Sequence, residues 1–222
     1  MLAMDLVFHH KHHLAGTAWM FHFQPERPLI WTAGQFIRIE IPHANPDAEG
    51  TKRQFTIASA PHEAFVAIAT RVTGSTFKQA LSALEPGAQI RLLDMPAGDF
   101  VWHDSPRPLV FAAQGIGITP FRSMLADRAH HGLPLSAELH YANIAPGVPF
   151  ADELQAYPGL KLELHDVPIT ATLLAQHIAD LAARLIYIAG PKALIPLLGP
   201  PHNVPANHIW HDQFPNYARA QY

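Results

Sequence analysis

The chain has 222 residues, 49% hydrophobic and 15% charged, a balance that gives a folded protein with a sizeable core and excludes a disordered one. Its formal net charge is −3 with no basic tail, which argues against nucleic acid or an anionic membrane surface as partner. It has no cysteine, which excludes disulfides, cysteine nucleophiles, cysteine-ligated zinc and a cysteine-held iron–sulfur cluster on this chain.

The start "MLAMDLVFHHKHH" has too short an apolar stretch for a signal peptide, and no apolar run approaches the roughly 18 residues that span a bilayer. A cytoplasmic protein without membrane insertion is expected. The histidines of "HHKHH", His9 to His13, raise the question of a metal. No Asp or Glu lies among them and their spacing matches no metal motif, so they are read as an exposed early strand and loop, with no metal assigned.

The first hundred residues then read as short strands: "LVFHH", "AWMFHFQP", "QFIRIEIP", "RQFTIAS", "FVAIATRV" and "QIRLLDMP". They are rich in β-branched and aromatic residues and separated by Gly, Pro or Asn. "FIRIEI" alternates apolar and charged residues, as an antiparallel strand with one wet face does. One helix is predicted, "STFKQALSAL", ended by Pro86-Gly87. Many strands with one helix predict an antiparallel β-barrel.

Past the proline-rich "HDSPRP" the grammar changes. "PLVFAAQ", "SAELHYAN", "LKLELHDV", "LIYIAGP" and "NHIWHDQF" read as strands. Between them, "PFRSMLADRAHHG" (capped by Gly132), "ADELQAY", "TATLLAQHIADLAAR" and "KALIPLL" read as helices. Alternating strands and helices predict an α/β doubly wound parallel sheet. The expected division is residues 1–104 for the barrel and 105–222 for the α/β unit.

"GIGITP" follows a predicted strand and opens a predicted helix, the setting a nucleotide loop needs. Gly115 and Gly117 allow the backbone to turn and approach a pyrophosphate. Thr119 is the expected N-cap and Pro120 the first helical residue. Gly190-Pro191 ends a second buried strand at the same edge of the sheet. In "RQFTIASAP", Arg53 offers a forked contact to phosphate, Phe55 a face for a flat ring and Thr56 a hydroxyl for a ring nitrogen. Gly74, Ser75 and Thr76 open the barrel's helix, where free N–H groups favour an anion.

Five motifs in order, "RQFT", "GSTF", "GIGITP", "AGP" and "HDQFPNY", with "AGQF" at Gly34 to Phe36, resemble the ferredoxin–NADP reductase superfamily over almost the whole chain. The resemblance implies FAD and a nicotinamide donor. It implies that Arg53 contacts the FAD pyrophosphate, with Gln54 and Ile57 in the same binding strand, that Phe55 stacks on the isoalloxazine and that Thr56 approaches N5. Gly74, Ser75 and Thr76 would bind pyrophosphate. Gly115, Gly117, Ile118, Thr119 and Pro120 would shape the NAD(P)H site, Gly190 and Pro191 the nicotinamide side, and Asp212 and Phe214 the flavin edge. Thr56, Asp212 and Phe214 are the expected catalytic residues.

Phe55 stands where the family has Tyr, so "FTIAS" is closer to the ferric-reductase variant of the flavin strand. No Arg or Lys occurs from Tyr141 to Leu154 to meet a 2′-phosphate, which favours NADH, with Lys161 and Arg122 as the cations that can still reach one. The implied activity is FAD-dependent hydride acceptance from NAD(P)H. Electrons then pass to a separate acceptor such as ferredoxin, flavodoxin or an oxygenase component. The alternatives are a ferric-chelate or free-flavin reductase that uses a small acceptor, and a non-catalytic redox-sensing or electron-transfer subunit. Hydride transfer needs no general base, so His140, His208 and His211 are read as structural or surface residues.

Overall fold

The structure is a computed structural model that describes residues 4–190 and 204–212. Six antiparallel strands form the first sheet: β1 (Met4–Ala15), β2 (Ala18–Pro25), β3 (Phe36–Glu40), β4 (Lys52–Thr56), β5 (Val66–Arg71) and β6 (Gln89–Leu92), in the spatial order β4-β3-β6-β1-β2-β5. The two edge strands meet just beyond β4, through an Ile57↔Ile68 bridge and a bond from the Ala58 N–H to the Ala67 carbonyl at 2.7 Å. That contact closes the sheet into a barrel and removes its open edges. Alternate residues Leu6, Phe8, Phe21, Phe23, Ile37, Ile39 and Ile68 fill the interior and are wholly or almost wholly buried. Each such side chain contributes roughly 1.5–3 kcal/mol. Helix α1 (Thr76–Ser82) caps this core with Phe77 and Leu81.

Five parallel strands form the second sheet: β7 (Leu109–Gln114), β8 (Ala137–Ala142), β9 (Leu160–His165), β10 (Leu185–Ala189) and β11 (Ile209–His211), in the order β11-β10-β7-β8-β9. The direction of winding reverses between β7 and β10, the position at which such sheets hold ligands. On one face, helix α2 (Thr119–His130) packs Phe121, Met124 and Leu125 on Phe111, Leu139 and Tyr187. On the other, helix α4 (Ala171–His177) packs Leu174 on Val110, Ile186 and Ile188. The short α3 (Ala151–Gln155) lies between β8 and β9. The central strands are apolar on both sides because both are covered.

The architecture is the expected antiparallel barrel followed by a parallel α/β sheet. Two elements differ from expectation. The helix predicted across "TATLLAQHIADLAAR" ends at His177, because Ile178 takes φ −126 and ψ 98 to turn its side chain into the core; a separate 3₁₀ turn, Leu181–Ala183, follows. The histidines of "HHKHH" lie entirely on β1, which runs on to Ala15, and none is in a loop. The expected helix "KALIPLL" lies outside the described residues. Among the described residues no helix is long and apolar enough to cross a membrane.

The sheets meet on a small apolar patch, Met20, Ala58, Ala67 and Ala69 against Ile116 and Phe150. Beside it, Arg122 Nη1 of α2 donates to the Ala58 carbonyl at 3.1 Å and Nη2 to Glu63 Oε1 at 2.8 Å, while Ser123 Oγ donates to the Ser59 carbonyl at 2.7 Å. Burial would lower the guanidinium's proton affinity, but Glu63 and Glu153 more than offset it and raise its pKa.

Candidate functional site

The chain leaves β7 at Gln114, and Gly115 takes φ +59, the left-handed region that favours glycine. A 3₁₀ turn, Gly115–Ile118, leads directly into α2. A Cβ on Gly117 would lie 2.4 Å from the Ala189 carbonyl oxygen, so only glycine lets the loop after β7 rest against the end of β10. Thr119 was expected as N-cap and Pro120 as first helical residue. Instead Ile118 stands at the cap position with helical φ −67 and ψ −19, Thr119 is the first helical residue and Pro120 the second. A 3₁₀ turn that continues straight into the helix leaves no extended residue to cap it. The Thr119 hydroxyl donates to the Ile116 carbonyl at 3.2 Å. Gly190 follows β10 and lies over Gln114; Pro191 is outside the described residues.

On β4, Arg53 is buried. Gln54 is half-buried opposite Arg38 on β3, and Ile57 is wholly buried in the barrel. Phe55 is half-buried, its ring centroid 6.0 Å from that of Phe77. The Arg53 guanidinium lies 5.0 Å from the Phe77 ring centroid and donates to the carbonyls of Glu49 and Lys52, each at 2.8 Å. It pairs with Glu49 Oε2 at 2.9 Å and Asp47 Oδ1 at 3.3 Å.

Asp47 also reaches the start of α1. The Thr76 N–H donates to its Oδ2 at 3.0 Å, and the Asp47 N–H donates to Thr76 Oγ1 at 3.0 Å. Burial acts to raise the Asp47 pKa, but the N–H groups of Thr76 and Glu49, the Thr76 side chain and Arg53 hold it below its ordinary value. Ser75 stands at the N-cap of α1 without making a side-chain cap bond. Its Oγ and the Tyr141 hydroxyl are the two buried side-chain polar atoms without a hydrogen-bond partner among the described residues. Gly74 has open space where a Cβ would stand. Lys78 adds a further cation; burial first, then Arg53 and Arg71, lower its pKa, against Glu49. Arg53 and the α1 N-terminus are thus both engaged by Asp47, and Arg53 also by Glu49, with Lys78 on the same helix.

Thr56 is buried, and its hydroxyl donates to Asp212 Oδ2 at 3.0 Å across 156 residues of sequence. The Asp212 N–H donates to the Ile188 carbonyl at 2.9 Å, which fixes the carboxylate just past β11. Burial pushes this carboxyl up to about 7, although the Thr56 hydroxyl pulls it down. The end of the barrel strand β4 and the carboxyl edge of the parallel sheet thus meet at Thr56 and Asp212. Phe214 lies outside the described residues.

Arg71, at the end of β5, was not singled out from sequence. Its Nη2 donates to Asn143 Oδ1 at 2.8 Å and lies 2.9 Å from where a Cβ of Gly115 would stand. A cation from the barrel therefore overhangs the glycine loop. The signal was a charge ending the otherwise apolar "FVAIATR", but only the fold brings it to Gly115. The two cations offered for a 2′-phosphate are engaged elsewhere: Lys161 Nζ contacts Glu138 Oε1 at 2.5 Å, and Arg122 Nε contacts Glu153 Oε1 at 2.9 Å. His140 is wholly buried between Glu138 at 3.2 Å and His165 at 3.0 Å, and its pKa is lowered, chiefly by burial.

No family model matches the chain. It is 35% identical over 134 residues to the ferredoxin–NADP reductase B of Sorangium cellulosum, covering 59% of this chain and 53% of that protein. It is 28% identical over 159 residues to an NAD(P)H-flavin reductase of Aliivibrio fischeri, covering 68% of this chain and 61% of that protein. The chain thus spans a little over half the length of these curated relatives. Among solved structures it resembles the flavohem-like FAD/NAD binding domain of nitric oxide dioxygenase from Vibrio cholerae, with a TM-score of 0.78, 21% identity, and coverage of 95% of this chain and 98% of that one.

Proposed function

We propose, from the premise that the chain belongs to the ferredoxin–NADP reductase superfamily, that it is a FAD-dependent oxidoreductase that takes hydride from NAD(P)H, with NADH preferred, and passes electrons to a separate acceptor. That acceptor is a ferredoxin, a flavodoxin or an oxygenase component. The division into a flavin unit at 1–104 and a nucleotide unit at 105–222 belongs to the same reading; β6 ends at Leu92 and β7 begins at Leu109.

The observation that carries the reading is the contact between Thr56 and Asp212. It brings the expected flavin strand to the carboxyl edge of the parallel sheet, where the glycine loops after β7 and β10 lie. When bound, the flavin supplies a two-electron acceptor that can release electrons singly or together. The chain's residues supply position and charge. Arg53, Lys78 and the N–H groups of Gly74, Ser75 and Thr76 hold phosphate, and the unpartnered Ser75 Oγ fits an oxygen placed there. Gly115, Gly117, Ile118, Thr119 and Pro120 shape the nucleotide loop, with Arg71 above it and Gly190 beside it; Pro191 is assigned there by the family pattern alone. Phe55 offers its face to the ring, in the strand that Gln54 and Ile57 share. Thr56 lies on the ring's N5 side with its hydroxyl oriented by Asp212, and Phe214 is assigned to the flavin edge by the family pattern alone.

The segment from Tyr141 to Leu154 carries no Arg or Lys of its own, which supports NADH; the cation nearest to it is Arg71, on Asn143 at 2.8 Å. One observation favours a second reading. Asp47 and Glu49 stand on the phosphate-binding groups, which weakens flavin retention and suits a reductase that uses flavin as an exchangeable substrate.

The test is an absorbance spectrum of the purified protein before and after dialysis, then anaerobic addition of NADH and, separately, NADPH. Flavin bands that survive dialysis and bleach faster with NADH are expected. Bands lost on dialysis, with NADH oxidation restored by added flavin, select the second reading. A colourless protein that takes up no FAD overturns both.

A further inference from the structure

We propose that His10, His12 and His22 form a three-imidazole site for a divalent transition metal of zinc's class on the outer wall of the barrel, with a fourth position open to water.

The site follows from strand geometry. His10 and His12 are two apart on β1 and so share a face. His22 is the register partner of His10 on β2, and residues directly opposite on antiparallel strands stand within side-chain reach. One nitrogen from each of the three rings lies within 4.8 Å of the others. His22 Nε2 is 3.2 Å from His12 Nδ1, close to the edge, about 3.3 Å, of a tetrahedron with zinc–nitrogen arms of about 2.05 Å. The rings of His10 and His22 stack at 4.2 Å and 8°. Loading therefore requires them to tilt so that their lone pairs converge.

His22 is half-buried beside the exposed His10 and His12. His9 Nδ1 lies 2.8 Å from His10 Nδ1. With His10 Nδ1–H as the donor of that bond, the lone pair of His10 stands on Nε2, the arrangement that orients metal-bound histidines. Phe65 walls one side, edge-on to His10 at 5.7 Å and to His22 at 6.0 Å. With nitrogen donors alone, the site takes zinc, copper or nickel and not the oxygen-seeking calcium or magnesium. A second histidine group, His140, His165 and His177, is already committed: His140 contacts Glu138 at 3.2 Å and His165 at 3.0 Å.

The sequence alone argued against this site because its ligands are split between two strands. The spacing within "HHKHH" says nothing of His22, which the hairpin register delivers.

The proposal is independent of the flavin. Tag-free full-length protein, stripped with a chelator and exchanged into metal-free buffer, is titrated calorimetrically with zinc chloride, with and without FAD. One zinc per chain is expected in both cases. His12→Gln and His22→Gln should each weaken binding at least tenfold, whereas His177→Gln should bind as the parent does. His12 is exposed, so H12Q keeps the test available if H22Q fails to fold. No stoichiometric binding, parent-like binding by H12Q, or loss of binding in H177Q overturns the proposal.

Discussion

The backbone N–H of Thr76, the first residue of α1, donates to Asp47 at 3.0 Å, and the same carboxylate faces Arg53 at 3.3 Å. A negative group at a helix N-terminus is favourable. A phosphate arriving there must displace this carboxylate or lie beside it. Asp47→Asn keeps the shape and removes the charge. FAD should then bind about threefold to tenfold tighter, as read by fluorescence titration of the flavin. Weaker binding would mean that Asp47 shapes the site instead of competing for it.

Gly117 lies where a Cβ would come within 2.4 Å of the Ala189 carbonyl oxygen. The obstacle is backbone, so no rotamer change relieves it. Gly117→Ala should destabilise the protein by about 3 kcal/mol, as overpacking and backbone displacement do, and should impair nucleotide binding more than flavin binding. Urea unfolding and separate NADH and FAD titrations check both parts.

Arg71 overhangs the glycine loop and is held by Asn143 at 2.8 Å. A cation that contacts the non-reacting part of a donor strengthens ground state and transition state alike, so its loss raises KM with little change in kcat. Arg71→Ala should raise the KM for NADH about tenfold. A fall in kcat with KM unchanged would place Arg71 outside the nucleotide site.

Asp212 carries a pH signature. Its folded-state pKa of about 7 lies above the unfolded value of about 3.9, so the folded protein holds the proton longer. Its contribution is therefore most favourable at acid pH and is lost as pH rises from about 4 to 7. Asp212→Asn removes that dependence. The melting temperature of the parent should fall relative to D212N between pH 5 and 8; a difference that stays flat over this range would refute the assignment.

The strands of the barrel and the alternation of the α/β sheet were legible because each carries a local signal, alternating apolar residues or a glycine turn. The contact of Thr56 with Asp212 was legible only as two ends of a family pattern. What escaped was non-local. Asp47 and Glu49 sit in a loop whose sequence says only that it turns, and their destination at Arg53 and α1 depends on the closed barrel. Arg71 reads as the polar end of a strand until β5 is brought beside Gly115. Ile178 reads as one more helical residue, and the core beneath it, not helix propensity, decides where α4 stops.

The bonds from Arg122 to Ala58 and from Ser123 to Ser59 tie α2, three and four residues past Thr119, to the barrel two and three residues past Thr56. Both attachments sit next to the segments that would carry the two reactants. Attachments so near both segments act as a gauge and not as a pair of jaws: they set the spacing of the two segments in advance, so that binding energy would go to ordering a donor there instead of swinging one half of the protein toward the other.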